Sequence, residues 1–223
     1  MYSSDGHFDV IGAQPGEMSY LLEIPTEAQA LLAIGHGAGA GMRHASLERL
    51  AKALHRQRIA TLRYQFPFME RGGGRDSEAV SLATVQAAFD LGSRQGLPSF
   101  AGGHSFGGRM TSLAAAAGML PQALGLIFFA FPLHAAGRPG TERAAHLSRI
   151  AQPMLFLSGT RDTLAQADLL TGVLASTQAT LHWLDTADHG YKTLRTRASQ
   201  EDIFDEMARI AAAWIHLLRV SGV

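Results

Sequence analysis

The chain has 223 residues, of which 47% are hydrophobic and 17% charged, with 19 Lys+Arg against 19 Asp+Glu and no cysteine. That length points to one compact domain over residues 1–223 with a core of its own, and the composition excludes a disordered chain. Zero net charge removes the long-range attraction that nucleic acid or an anionic membrane surface would need, and zero cysteine excludes disulfides, thiolate nucleophiles and cysteine-ligated metals.

No basic-then-apolar start marks a signal peptide, and no apolar run reaches the roughly 20 residues of a membrane span. The expectation is a cytoplasmic protein with no membrane or nucleic-acid partner. Short apolar runs bounded by Gly and Pro then alternate with helix-sized segments. The predicted strands are Phe8–Ile11, Tyr20–Ile24, Leu31–Gly35, Ile59–Tyr64, Ser99–Gly103, Gly125–Phe131, Met154–Ser158 and Thr180–Leu184. The central runs are continuously apolar, as in parallel strands buried on both faces.

Leu47, Leu50, Ala51 and Leu54 share one helical face, and a second helix is predicted from Asp76 as N-cap to Gly96 just past its end. Glu142 to Leu147 is predicted as one short helix. Ile203, Met207, Ile210, Ala211, Trp214, Ile215 and Leu218 form the stripe of a last helix, with Ser199 and Asp202 supplying its start. Strand–helix alternation of this kind implies an eight-stranded, mostly parallel sheet with helices on both faces. Ligands in such sheets bind at the carboxyl ends of the strands.

At one such end stands Gly103-His104-Ser105-Phe106-Gly107-Gly108, a G-x-S-x-G pattern between a predicted strand and a predicted helix beginning near Arg109. A sharp turn projects the Ser105 hydroxyl, and glycine two residues to either side lets neighbouring backbone approach. A serine nucleophile needs a base and a carboxylate that orients it. His189 follows the last strand in Asp185-Thr186-Ala187-Asp188-His189-Gly190, whereas His182 lies inside a strand and His216 inside a helix. Asp162 closes a turn directly after the seventh strand and is the predicted acid, with Asp185 as the fallback.

Two backbone N–H groups should face the oxyanion: that of Phe106, and that of Ala38 in the turn His36-Gly37-Ala38-Gly39-Ala40-Gly41. The same turn satisfies G-x-G-x-x-[GA] through Gly35, Gly37 and Ala40, a dinucleotide signature. That alternative lacks a carboxylate at Tyr64-Gln65-Phe66 after the next strand, and Arg63 as a substitute lies within the strand. No metal-ligand spacing occurs among the ten histidines, and no cofactor is implied.

With these residues in view, the chain resembles the α/β-hydrolases. It is most similar to the small subgroup related to testis-expressed protein 30 and the regulatory subunit three of the NSL histone-acetyltransferase complex, itself similar to dienelactone hydrolases. The serine turn is common to the superfamily. Tyr64-Gln65-Phe66-Pro67-Phe68-Met69 and Phe131-Pro132-Leu133-His134 single out the subgroup. The resemblance implies an α/β-hydrolase fold, with Ser105 as nucleophile, Asp162 as acid and His189 as base. Dienelactone hydrolases use a cysteine nucleophile, and here the position is serine.

The reading is therefore a serine esterase or thioesterase acting on a small-molecule substrate. A scaffold that binds partners without turnover is the alternative. Only residues 131–149 are available for a cap, so the site should be shallow. Phe66, Phe68, Met69, Phe106, Leu133 and Tyr191 are candidate substrate walls, with burial in the core as the other possibility for each. Arg71, Arg75, Arg138 and Lys192 lie on the same loops and would favour an acidic substrate unless they are solvated surface charge.

Overall fold

A computed structural model describes residues 1–10 and 16–220. Eight strands form one sheet: β1 (Tyr2–Val10), β2 (Gly16–Ile24), β3 (Ala30–Gly35), β4 (Ile59–Tyr64), β5 (Ser99–His104), β6 (Leu126–Phe129), β7 (Met154–Gly159) and β8 (Ala179–Leu184). Their spatial order is β1-β2-β4-β3-β5-β6-β7-β8. The first two strands pair antiparallel with each other and β2 pairs antiparallel with β4, and every other pairing is parallel. This is the eight-stranded, mostly parallel sheet that the element order implied, in the α/β-hydrolase fold that the resemblance implied.

Six α-helices flank the sheet among the described residues: α1 (Ala45–Arg56), α2 (Pro67–Arg71), α3 (Glu78–Ser93), α4 (Phe106–Ala116), α5 (Ala167–Leu174) and α6 (Ile203–Val220). Alternate side chains of each buried strand serve opposite faces. Leu31, Leu62, Phe128 and Phe156 pack with Phe89 of α3, Met110 of α4 and Leu170 of α5. Leu32, Ile34, Phe100, Ile127 and Leu155 pack with Leu50 of α1 and Met207 and Trp214 of α6. Burial on both sides explains why these strands are apolar throughout, each large side chain contributing about 1.5–3 kcal/mol.

Several boundaries differ from expectation. The β1–β2 hairpin is longer than the predicted runs because its exposed face is polar; Ile11 lies outside the described residues. The N-cap of α3 is Ser77, whose Oγ accepts from the Val80 N–H, and not Asp76, whose carboxylate pairs with Arg71. Helix α3 ends at Ser93, and Gly96 (φ 72°) turns the chain beyond it. Strand β6 stops at Phe129 because Ala130 takes φ 50°. Helix α2, with Pro67 in its first turn, was hidden by its five-residue length. Residues 142–149 form two single-turn 3-10 helices, Glu142–Ala144 and Leu147–Arg149, rather than one short helix. For α6, the Asp202 carboxylate accepts from the Phe204 N–H, while the Ser199 Oγ accepts from the Glu201 N–H, short of the helix.

Candidate active site

The turn between β5 and α4 is packed closely against neighbouring backbone. Ser105 adopts φ 51°, ψ −113°, a conformation an L-residue keeps only when its surroundings enforce it. The enforcement comes from backbone packing. A Cβ on Gly107 would stand 2.3 Å from the Gly35 carbonyl carbon, and one on Gly103 would stand 2.6 Å from the Gly107 carbonyl carbon. The Ser105 N–H donates to Phe129 O at 2.9 Å and the Gly107 N–H to His36 O at 3.0 Å, tying the turn to β6 and to the end of β3. Helix α4 begins at Phe106, three residues earlier than expected, so Ser105 is its N-cap residue.

His189 Nε2 stands 2.9 Å from Ser105 Oγ, and His189 Nδ1 lies 2.8 Å from Asp162 Oδ2 and 3.0 Å from Oδ1. A carboxylate only accepts, so Nδ1 carries the proton and Nε2 is left to accept from the serine hydroxyl. The Asp162 side chain is fully buried, and its Oδ1 also accepts from the Leu164 N–H at 2.8 Å. Ser105 and His189 are partly exposed. Asp185 stands apart from this group, accepting instead from the Ala198 N–H. His182 bonds Glu206 at the sheet edge, and His216 is exposed on α6.

Among the described residues, neither the Phe106 N–H nor the Ala38 N–H has a hydrogen-bond acceptor. The Phe106 N–H also stands at the positive end of α4. The turn carrying Ala38 is held by His36, which is buried. Its Nδ1 donates to Gly37 O at 2.8 Å and its Nε2 accepts the Phe66 N–H at 3.0 Å. Burial lowers the His36 pKa to about 4, the Gly37 bond opposing, so the ring is neutral at pH 7.

Two more histidines brace the site without touching the serine, and neither was singled out from the sequence. His104 Nε2 faces the His189 carbonyl at 3.4 Å. Burial, with His189 next in importance, brings the His104 pKa down to about 4. His134 donates its N–H to Leu164 O at 3.0 Å and accepts the Gln166 N–H at 3.3 Å, which steadies the loop after Asp162. The only sequence signal for it was its place in Phe131-Pro132-Leu133-His134.

Of the predicted walls, Phe66, Phe68 and Leu133 are packed in the core. Phe68 and Phe66 meet the Phe106 ring edge to face at 5.5 and 5.1 Å, an aromatic cluster packed against the serine turn. Met69 and Phe106 are partly exposed. Tyr191 is buried between His104 and Phe204, against a cavity of about 20 Å³ that has room for about one water-sized sphere. Its hydroxyl has no partner, and burial raises its pKa, with Asp162 adding to the effect. At the rival dinucleotide position, Arg63 is buried against Glu23 and Met42 O, and Gln65 accepts from the Met42 N–H.

Solved structures share this arrangement of elements. Est1E from Butyrivibrio proteoclasticus matches with a TM-score of 0.73 at 14% identity, over 96% of this chain and 99% of its own. A dienelactone hydrolase from Anabaena variabilis matches at 0.71 and 17%, over 96% and 97% of the two chains. A lidless α/β serine hydrolase from Xanthomonas campestris matches at 0.70 and 21%, over 95% and 94%. At these identities the likeness is one of fold. The sequence pattern of the family described as the alpha/beta hydrolase domain matches residues 28–216. The chain belongs to the α/β-hydrolase domain family.

Proposed function

We propose that this single-domain protein is a serine hydrolase of carboxylic esters or thioesters, with Ser105 as nucleophile, His189 as general base and Asp162 as the group that orients it. The observation carrying the reading is the unbroken chain of contacts Ser105 Oγ–His189 Nε2–His189 Nδ1–Asp162, at 2.9 and 2.8 Å, centred on a serine with strained backbone. Ser105 attacks the acyl carbonyl as its proton passes to His189 Nε2, and Asp162 stabilises the imidazolium. The developing oxyanion accepts from the Phe106 and Ala38 N–H groups. The leaving alcohol or thiol takes the proton from His189, and water activated by the same imidazole then releases the acid from Ser105. Partly exposed Met69 and Phe106 remain the candidate walls for the acyl group.

Within the family we place the chain near the testis-expressed protein 30 subgroup. The segments that suggested this include Phe66 and Phe68 packed against the serine turn and His134 on the Asp162 loop. The deciding experiment is labelling with a serine-directed fluorophosphonate alongside turnover of phenyl acetate. Wild-type protein should label and turn over, and Ser105→Ala should do neither, losing on the order of 10⁴-fold in kcat. Equal labelling of both proteins, or of neither, would leave a scaffold as the better reading.

A further inference from the structure

Three arginines from three different elements gather on the outer side of the serine turn. Arg75, in the loop before α3, holds its guanidinium carbon 5.5 Å from the centroid of the Phe106 ring. Arg109 lies three residues along α4 from Phe106, hence on the same helical face. Arg143 lies in the first 3-10 turn of residues 142–149, a segment pinned to α4 by the 2.7 Å contact between His146 Nε2 and Ser112 Oγ. That contact sets Arg143 on a segment beside α4, near enough to Arg109 for the two charges to act on one another.

These charges are poorly compensated. Arg109 has Glu78 at 3.7 Å, and Arg75 and Arg143 have no ion pair among the described residues. Three guanidiniums against one carboxylate leave two positive charges in excess. The Arg109 side chain is 28% exposed, yet its Nε is buried without a partner. Burial lowers the Arg109 pKa; Glu78 opposes this, while Arg143 and Arg75 lower it further. Arg71, by contrast, is taken up by Asp76. Like charges brought together beside a partly desolvated guanidinium are unfavourable unless an anion joins them, and the planar fork of arginine matches phosphate oxygens in pairs.

We propose that Arg75, Arg109 and Arg143 form an anion subsite beside the Ser105 turn that takes a dianionic phosphate group carried by the ester or thioester substrate. The assignment deepens the hydrolase reading and rests on it for the word substrate. The double excess of charge selects a phosphate dianion over a single carboxylate. The phosphate is a handle: it binds, stays intact, and leaves with whichever half of the substrate bears it.

Three acetyl esters that differ only in the handle test this: phenyl acetate, 4-acetoxybenzoate and 4-acetoxyphenyl phosphate. The expected order of kcat/KM is phosphate, then carboxylate, then neutral. The phosphate-to-neutral ratio should fall about tenfold for each of Arg109→Gln and Arg143→Gln. It should also shrink as salt rises towards 1 M. Arg143 is exposed, so its variant keeps the test open if Arg109→Gln loosens α4. Calorimetric titration of phenyl phosphate into Ser105→Ala reads the subsite without turnover, and binding should weaken when Arg143→Gln is added. A ratio near one, equal use of the carboxylate and phosphate esters, or phenyl phosphate binding unchanged by Arg143→Gln would each overturn the subsite. Absence of Ser105-dependent phenyl acetate turnover would sink the hydrolase reading instead, with the titration still deciding the subsite.

Discussion

Among the serine–histidine contacts of the described residues, two have their serines on one chain segment, Ser105–His189 at 2.9 Å at the start of α4 and Ser112–His146 at 2.7 Å two turns further on. Distance does not tell them apart; what surrounds each does. Ser112 is fully buried, and its hydroxyl proton is committed to Arg109 O at 2.8 Å, so His146 Nε2 must be the donor towards Ser112 Oγ. A donating nitrogen cannot act as that serine's base. Among the described residues no carboxylate pairs with His146; its near charges are Arg109 and Arg149, which add to burial in lowering its pKa to about 4. Ser105 has the opposite surroundings: partial exposure, a strained backbone, two unpartnered N–H groups nearby, and an imidazole whose far nitrogen is held by a buried carboxylate. On the proposed reading, what sets a nucleophilic serine apart is the far side of its histidine and the fate of its own proton.

The sharpest way to break this contrast is to remove the feature that His146 lacks. Asp162→Asn keeps the size and burial of the side chain, but its amide can turn an N–H₂ towards His189 Nδ1 and favour the tautomer that protonates Nε2. His189 would then resemble His146, a donor to its serine. Turnover of phenyl acetate should fall by about 10⁴-fold in kcat with little change in KM. A variant within tenfold of wild type would show that the carboxylate is dispensable and that the two pairs differ for some other reason.

A second effect reads the buried histidines. His36, His104 and His146 are each lowered to about 4 from 6.5, in every case chiefly by burial. The unfolded chain takes up these protons near pH 6.5 and the folded chain only near pH 4. Their contribution to stability is therefore complete above pH 6.5 and is lost progressively as the pH falls towards 4. The slope approaches about 1.4 kcal/mol per pH unit for each histidine. Urea unfolding between pH 7.5 and 4.5 reads it, and His146→Gln should flatten the curve by about one histidine's share. Identical slopes in both proteins would mean that His146 is not held neutral by the fold.

The sequence made Ser105, His189 and Asp162 legible because each stands at a strand end, and strand ends in a parallel sheet converge by topology. The continuously apolar strands carried the fold for the same reason, being buried on both faces. What stayed hidden was lateral. His36, His104 and His134 act through backbone groups of residues that topology alone does not bring into register, and nothing in their immediate neighbours announces a brace. Phe68 and Leu133 could not be divided between wall and core without coordinates, since a large apolar residue beside a site suits either. The two 3-10 turns of residues 142–149 were beyond periodicity altogether, being too short to carry one.

The smallest effect probes the other pair. Ser112→Ala removes the hydroxyl that links His146 to α4 and leaves His146 Nε2 without its partner in a buried position. The loss should be about 1–3 kcal/mol of stability, the range for a buried polar group left unsatisfied. Phenyl acetate turnover should stay within about threefold, because the pair contacts neither Ser105 nor the proposed oxyanion donors and bears only on where residues 142–149 sit. Replacing both partners, as in Ser112→Ala with His146→Leu, should recover part of that stability, since two apolar groups no longer strand a donor. Denaturant midpoints and turnover measured on the same preparations separate the two outcomes. A turnover loss as large as that of Ser105→Ala would make Ser112–His146 a working part of the reaction and end the division between them.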